Sequence, residues 1–279
     1  MSAKPLRGKL ILSLALNVPG PVAAREWQKL GAKIIKVEPP EGDPLNHYYP
    51  AWYKELTRGQ KILTLNLKEP KDKKKFFQLL AKSNLLLSAS RPQALEKLGL
   101  AWKNVKHFSK LRHLLVLGYP RPKENEAGHD LTYLAEAALL QPPEMPKTLY
   151  ADLMGSMQLV SAGLVLLLEK KPKQRQLELA IADAAKILLE PYHHGLTKKG
   201  GVLSGSNPFY KIYSTKSGFV ALAALEPHFQ KRFLEECSGV KNNNFADLFL
   251  TKTAKDWEAW AQAHDIPLKE VKEGELYAN

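Results

Sequence analysis

The stretch Lys9–Val37, KLILSLALNVPGPVAAREWQKLGAKIIKV, decides the fold. Lys9 to Leu16 is an apolar run of strand length, and Asn17-Val18-Pro19-Gly20-Pro21 breaks it as a turn. Ala23 to Leu30 has helical spacing, with Pro21 tolerated early and Gly31 closing it. Ala32 to Val37 is strand-like again, so the stretch reads as a βαβ unit. Working outward, strands are expected at Lys61–Leu67, Leu85–Leu87, Leu111–Leu117 and Gln176–Ile181. Helices are expected at Glu69–Ala81, opened by Pro70, and at Ala94–Leu98, Met154–Leu168 and Ala182–Leu189. Alternating strands and helices predict an α/β fold: a Rossmann-like, largely parallel, doubly wound domain. From His193 to Gly205 the texture turns to Gly, Ser and Lys. A boundary there gives a large domain over 1–192 and a smaller α+β domain over 193–279. In the second domain, Phe209–Thr215 and Gly218–Leu225 read as paired strands. Helices are expected from Pro227 to Glu236, Phe245 to Phe249 and Ala254 to His264, with polar bends at Asn242–Asn244 and no clear element at Tyr277–Asn279.

The chain has 279 residues, one cysteine and a formal charge of +13. One cysteine rules out an intrachain disulfide framework and a cysteine metal cluster. No apolar segment is expected to span a bilayer, and the short Leu10–Val18 run reads as a strand rather than a signal peptide, which points to a cytoplasmic protein without a membrane partner. The lysines are spread over KDKKK (71–75), KKPKQR (170–175), TKKGG (197–201) and the last third. They form no single recognition helix, so no nucleic-acid partner is expected. No GxGxxG follows the first strand, which argues against a nicotinamide enzyme. Ser-elbow, Walker, zinc and EF-hand patterns are also missing from the sequence.

Chemistry concentrates between Gly128 and Asp152, GHDLTYLAEAALLQPPEMPKTLYAD. His129 stands at a loop-to-helix junction and can exchange protons near neutral pH. The bland alternative has Asp130 capping that helix and His129 as a polar neighbour. Asp152 precedes an apolar helix; its carboxylate either caps that helix or faces a ligand. Burial would raise its pKa and capping would lower it. Glu226, in ALAALEPHF (221–229), either orients a histidine or opens the next helix. The acidic loop Glu38–Asp43 fits turn chemistry and ligand binding equally well. His193-His194 lack partners at metal-site spacing. His47, His107, His113, His228 and His264 read as surface or interface residues, and Cys237 as a buried or inert thiol.

Several stretches together carry a family resemblance. They are NVPGPVAAREWQKLGAKIIKVEPPEGDP (17–44), LTRGQKILTLNLKEP (56–70), Arg91-Pro92 to LGL (98–100), AGHDLTYLA (127–135), YADLMGSM (150–157), NPFYKIYSTKSGFVALAALEPHF (207–229) and Thr253–Trp257. In this order they cover most of the chain, which resembles the family III CoA-transferases (CaiB/BaiF) and, within them, the alpha-methylacyl-CoA racemase branch. The resemblance implies an interlocked homodimer acting on acyl-CoA, with coenzyme A as part of the substrate and no metal or redox cofactor. It implies catalytic roles for His129, Asp152 and Glu226, and CoA-phosphate contacts for Arg58, Lys61 and Arg91. The reaction it favours is racemisation of a 2-methylacyl-CoA through an enolate. The alternatives are CoA transfer through an aspartyl anhydride at Asp152, and a non-catalytic paralogue that binds CoA or a partner protein. The departures are GYPRPKENEAGHD (118–130) ahead of the histidine, KKPKQRQ (170–176) in place of a Gly-rich turn, and a C-terminal part expected to be shorter than the family's, without its return to the large domain.

Overall fold

The computed structural model describes residues 4–169, 173–237 and 244–272. The chain divides into two compact units, residues 1–189 and 190–279. Unit 1 holds a six-stranded parallel sheet: β1 (Leu10–Ser13), β2 (Lys33–Glu38), β3 (Lys61–Thr64), β4 (Leu85–Ser88), β5 (Arg112–Leu117) and β6 (Gln176–Ala180). Its order is β3-β2-β1-β4-β5-β6, so the winding direction reverses between β1 and β4. In open sheets of this kind, ligands bind at the carboxyl ends of the strands beside that reversal.

A parallel sheet covered on both faces needs strands that are apolar throughout. Leu85-Leu86-Leu87 shows this directly: Leu85 and Leu87 join a core with Ile11, Leu114 and Trp27, while Leu86 joins a second core with Leu12, Leu115 and Phe76. Helix α1 (Pro19–Lys29) starts four residues before the expected Ala23. Both Pro19 and Pro21 fall in its first turn, where a missing N–H removes no intrahelical bond. Two unforeseen helices follow β2, α2 (Pro44–Tyr48) and α3 (Pro50–Thr57), each opened by a proline. Then come α4 (Pro70–Leu80), α5 (Pro92–Leu98), α6 (Trp102–Val105), α7 (Asp130–Glu136), α8 (Tyr150–Leu168) and α9 (Ile181–Ile187).

Helix α8 starts at Tyr150, not Met154, so Asp152 lies inside its first turn. By length and composition alone, α8 is apolar enough to cross a membrane, with a mean hydropathy of 1.6, a test that the core helix of a globular protein also passes. Its Ala151, Leu159, Leu166 and Leu167 are nonetheless buried in the core of unit 1. Helix α1 packs against it through Trp27, whose Nε1–H donates to the Val160 carbonyl at 3.1 Å. The indole covers Gly163, where a Cβ would stand 2.2 Å from Trp27 Cζ2.

Lys36, in the middle of β2, is only 1% exposed, and burying its charge is costly unless it is paired. Its ammonium is held by Glu38, at 2.7 Å, and by Asp43. Tyr53 donates its O–H to Glu38 Oε1 at 2.7 Å. The other Asp43 oxygen accepts the backbone N–H groups of Asn17 (3.0 Å) and Leu45 (2.9 Å). The acidic residues at 38 and 43 thus clamp a buried cation. His113, expected at the surface, is buried in β5, where Ser88 Oγ meets its Nε2 at 2.7 Å and burial lowers its pKa to about 4. Both faces of the sheet are covered, so a polar residue inside β5 is buried on either face, and its partner Ser88 lies on another strand where the local sequence gives no sign of it.

Unit 2 contains α10 (Glu190–His193), β7 (Tyr210–Ser214), β8 (Phe219–Ala223), α11 (Pro227–Glu236), α12 (Ala246–Phe249), α13 (Ala254–Ala263) and β9 (Leu268–Glu270). The strands form an antiparallel sheet in the order β7-β8-β9. The third strand has only three residues and was not foreseen. Phe209, Phe233, Phe245, Phe249 and Trp257 fill the core. Cys237 is buried there, and burial pushes its thiol up to about 11. Most of the bend expected at Asn242–Asn244, and the end at Tyr277–Asn279, lie outside the described residues.

Two substitutions test this packing. Gly163→Ala should destabilise the protein by about 1–3 kcal/mol in denaturant melts, because the indole has nowhere to retreat. Lys36→Met should cost about 3–5 kcal/mol, since it leaves Glu38 and Asp43 buried without their cation.

Candidate functional site

Helix α8 begins at the carboxyl edge of the sheet, and its first N–H groups need acceptors from outside the helix. Asp130, at the start of α7, supplies one: its Oδ1 accepts the N–H of Asp152 at 2.9 Å. Asp130 therefore caps a helix twenty residues further on, not its own. Cap position on α7 belongs to His129, whose N–H donates to Thr132 Oγ1 at 3.0 Å, while the Thr132 hydroxyl donates back to the His129 carbonyl at 2.8 Å.

This arrangement releases Asp152 from capping. Among the described residues no donor reaches its carboxylate. Burial, and secondarily the charge of Asp130, push its pKa up to about 7. Burial also raises the Asp130 pKa, against the backbone N–H groups it accepts. A carboxyl group poised near neutrality can serve as nucleophile, base or acid.

Asp152 and His129 line one cavity of about 520 Å³. Asn17, Val18, Leu45, Tyr48, Tyr49, Trp52, Asp130, Leu131 and Leu149 complete it. Asn17 sits in the left-handed region (φ 61°), which asparagine tolerates, and accepts the Tyr48 O–H at 2.7 Å. Burial, followed by the charges of Asp43 and Asp152, raises the Tyr48 pKa. His129 also lines a second cavity of about 200 Å³, with Arg91, Gly118, Gly128 and Tyr133. Gly128 lets the chain pass Tyr133: a Cβ there would fall 2.4 Å from Tyr133 Cε1. A third cavity, about 340 Å³, lies over the ends of β1, β2 and β3, lined by Leu14, Pro39, Leu65, Asn66 and Lys68.

The residues singled out from sequence therefore separate. His129 and Asp152 share a cavity, and Arg91 joins His129 in the adjoining one. Lys61 is exposed at the first position of β3, the edge of the sheet opposite the start of α8. Arg58, also exposed, lines a different cavity with Arg25, Lys29 and Glu55. Glu226 belongs to unit 2, exposed at the cap position of α11 and without a side-chain capping bond. Sequence reasoning missed Asn17, Tyr48, Trp52 and the true role of Asp130. An Asn just before Val-Pro-Gly-Pro was the one local sign, of a left-handed turn residue. Among the described residues, no group of three or more His, Cys, Asp or Glu is placed to hold a metal ion.

Comparison with known proteins gives a consistent result. The sequence profile of CoA-transferase family III matches residues 6–278. The chain is 27% identical to mouse alpha-methylacyl-CoA racemase, over 90% of this chain and 74% of that protein. It is 25% identical to a probable fatty acyl-CoA transferase of Mycobacterium tuberculosis, over 95% of this chain and 82% of that one. In fold it is similar to the crystal structure of a hypothetical protein from M. tuberculosis, with a TM-score of 0.85 at 23% identity, covering 98% of this chain and 86% of that chain. A CaiB/BaiF family protein from Brucella suis gives 0.81 at 17% identity, covering 98% and 85%.

The position of Asp152 predicts a pH dependence. In the unfolded chain its carboxyl titrates near about 4; in the folded chain it does so at about 7. Between these values the folded state holds the extra proton, so this group's contribution to stability falls as pH rises through that window and levels off above it. Asp152→Asn should therefore raise the melting temperature at pH 8 and leave it unchanged at pH 4. An equal shift at both pH values would contradict the assignment.

Proposed function

We infer, from the premise that this chain belongs to CoA-transferase family III, that it moves coenzyme A between an acyl thioester and a free carboxylic acid, with Asp152 as the nucleophile. The observation that carries this reading is the carboxylate of Asp152, which meets no donor among the described residues and faces a cavity. Its oxygen attacks the thioester carbonyl, forming a mixed anhydride and releasing the CoA thiolate. The thiolate then attacks the aspartyl carbonyl, which frees the first acid and leaves an aspartyl thioester. An incoming carboxylate attacks that thioester, forming a new anhydride and releasing the thiolate again. Attack of the thiolate on the new acyl carbonyl regenerates Asp152 and releases the new acyl-CoA. A pKa of about 7 leaves Asp152 substantially ionised at neutral pH and more basic than an ordinary carboxylate. Arg91, beside the second cavity, is proposed as a phosphate contact for CoA. The net charge of +13 favours capture of so anionic a ligand.

A second reading is inversion of a 2-methylacyl-CoA. It is favoured by His129 lining the cavity of Asp152 and by the similarity to the mouse racemase. One of the two groups would remove the α-proton and the other return it to the opposite face of the enolate. Glu226 is carried into this reading by the resemblance alone. A homodimer is proposed with either reaction.

The test supplies an acyl-CoA donor and a carbon-13-labelled free acid. Label should appear in a new thioester, and hydroxylamine should trap a hydroxamate at Asp152. Asp152→Ala should lower turnover at least about 10³-fold. Deuterium entering the α-position in D2O without any acid acceptor would favour inversion instead. CoA binding without either reaction would identify a non-catalytic relative.

A further inference from the structure

The walls of the Asp152 cavity carry information about the acyl group. This inference rests on the acyl-CoA reading above and concerns only what the thioester bears. Seven of the lining residues are Val18, Leu45, Tyr48, Tyr49, Trp52, Leu131 and Leu149, and no Lys or Arg is among them. The charged groups facing the space are Asp130 and Asp152, both acidic. Of the two tyrosines, Tyr48 has its hydroxyl occupied by Asn17. The remaining side-chain donors, the His129 imidazole, the Asn17 amide, the Tyr49 hydroxyl and the Trp52 indole N–H, include no Lys or Arg to neutralise a second carboxylate.

The apolar wall is built into the fold. Val18 and Leu45 belong to a buried cluster with Val22 and Leu56, and Trp52 packs against that cluster. Tyr48 and Tyr49 stand 64% and 60% exposed at the rim. A volume near 520 Å³ lies within the usual range for pockets that enclose a small organic ligand.

We propose that this cavity selects an uncharged apolar acyl chain, with room for a ring or a branch, and rejects acyl groups that end in a second carboxylate. Two physical effects point the same way. Each methylene moved from water into the apolar wall favours binding about fourfold. A terminal carboxylate brought to ~5 Å from an ionised Asp152 is disfavoured by roughly three hundredfold, at an effective dielectric constant of about 20.

The experiment measures kcat/KM for butyryl-, hexanoyl-, phenylacetyl- and succinyl-CoA with one common acid acceptor. Binding of hexanoyl- and succinyl-CoA to Asp152→Asn is measured in parallel by calorimetry. Expected is a rise from butyryl to hexanoyl, good use of phenylacetyl, and succinyl at least tenfold below hexanoyl. Leu131→Arg, a change on the exposed side of α7, should narrow or reverse the hexanoyl-to-succinyl ratio by supplying the missing cation. Succinyl-CoA used as well as hexanoyl-CoA by the wild type overturns the proposal, as does a ratio unmoved by Leu131→Arg. If no thioester reacts but Asp152→Asn still binds hexanoyl-CoA at least tenfold more tightly than succinyl-CoA, the transfer reading fails and the selectivity stands.

Discussion

One ammonium group accounts for much of the candidate site. Lys36 is buried in the second strand of a parallel sheet, where an unpaired charge would cost several kcal/mol. Asp43 meets that demand only if the chain turns back after Glu38, and Pro39-Pro40-Glu41-Gly42 is the segment that turns. Asp43 then has a second oxygen to spare, and it takes the backbone N–H groups of Asn17 and Leu45. In this way the end of the first strand, the end of the second and the start of α2 are tied to one point. Tyr53, through Glu38, brings α3 into the same network. The residues that wall the cavity on this side, from Asn17 to Trp52, hang from that buried clamp.

The opposite side depends on a division of labour between two carboxylates. A helix beginning with Tyr150-Ala151-Asp152 offers its own Asp as a cap, and that would have consumed the acceptor. Asp130 takes the duty instead, from another helix, and in doing so lays its own negative charge beside Asp152. Capping and proton affinity are thereby set by different residues. The same bond fixes α7 against the start of α8, and so holds His129, the cap residue of α7, at the edge of the same cavity.

These two anchors explain why the functional reading follows from fold position as well as from family. Winding reverses between β1 and β4, and the cavities at Asp152 and Arg91 open where the strands end. Membership of CoA-transferase family III makes acyl-CoA the natural class of substrate to test. Tyr48, Tyr49 and Trp52 reach the lining from the short helices α2 and α3 and the residue between them. That lining bears on the acyl group and not on the shared chemistry of the thioester.

The order of the strands and of the longer helices in unit 1 could be read from the chain itself, because parallel strands need unbroken apolar runs and a helix changes the period; the short helices α2, α3 and α6 escaped that reading. Pro70 marks such a start and Leu85–Leu87 marks a strand covered on both faces, whereas Pro19 and Pro92 stood outside the expected helices and open α1 and α5 in the structure. His129 and Asp152 were visible as candidates because ionisable residues next to apolar segments are uncommon. Their pairing was not visible, since twenty-three positions separate them and nothing local says that Asp130 bonds across to α8. The clamp at Lys36, the burial of His113 and the short strand β9 were hidden for the same reason. Hydrophobic periodicity reports which residues leave water, whereas the partner of a buried polar group is chosen by where distant segments meet, and only the folded chain decides that.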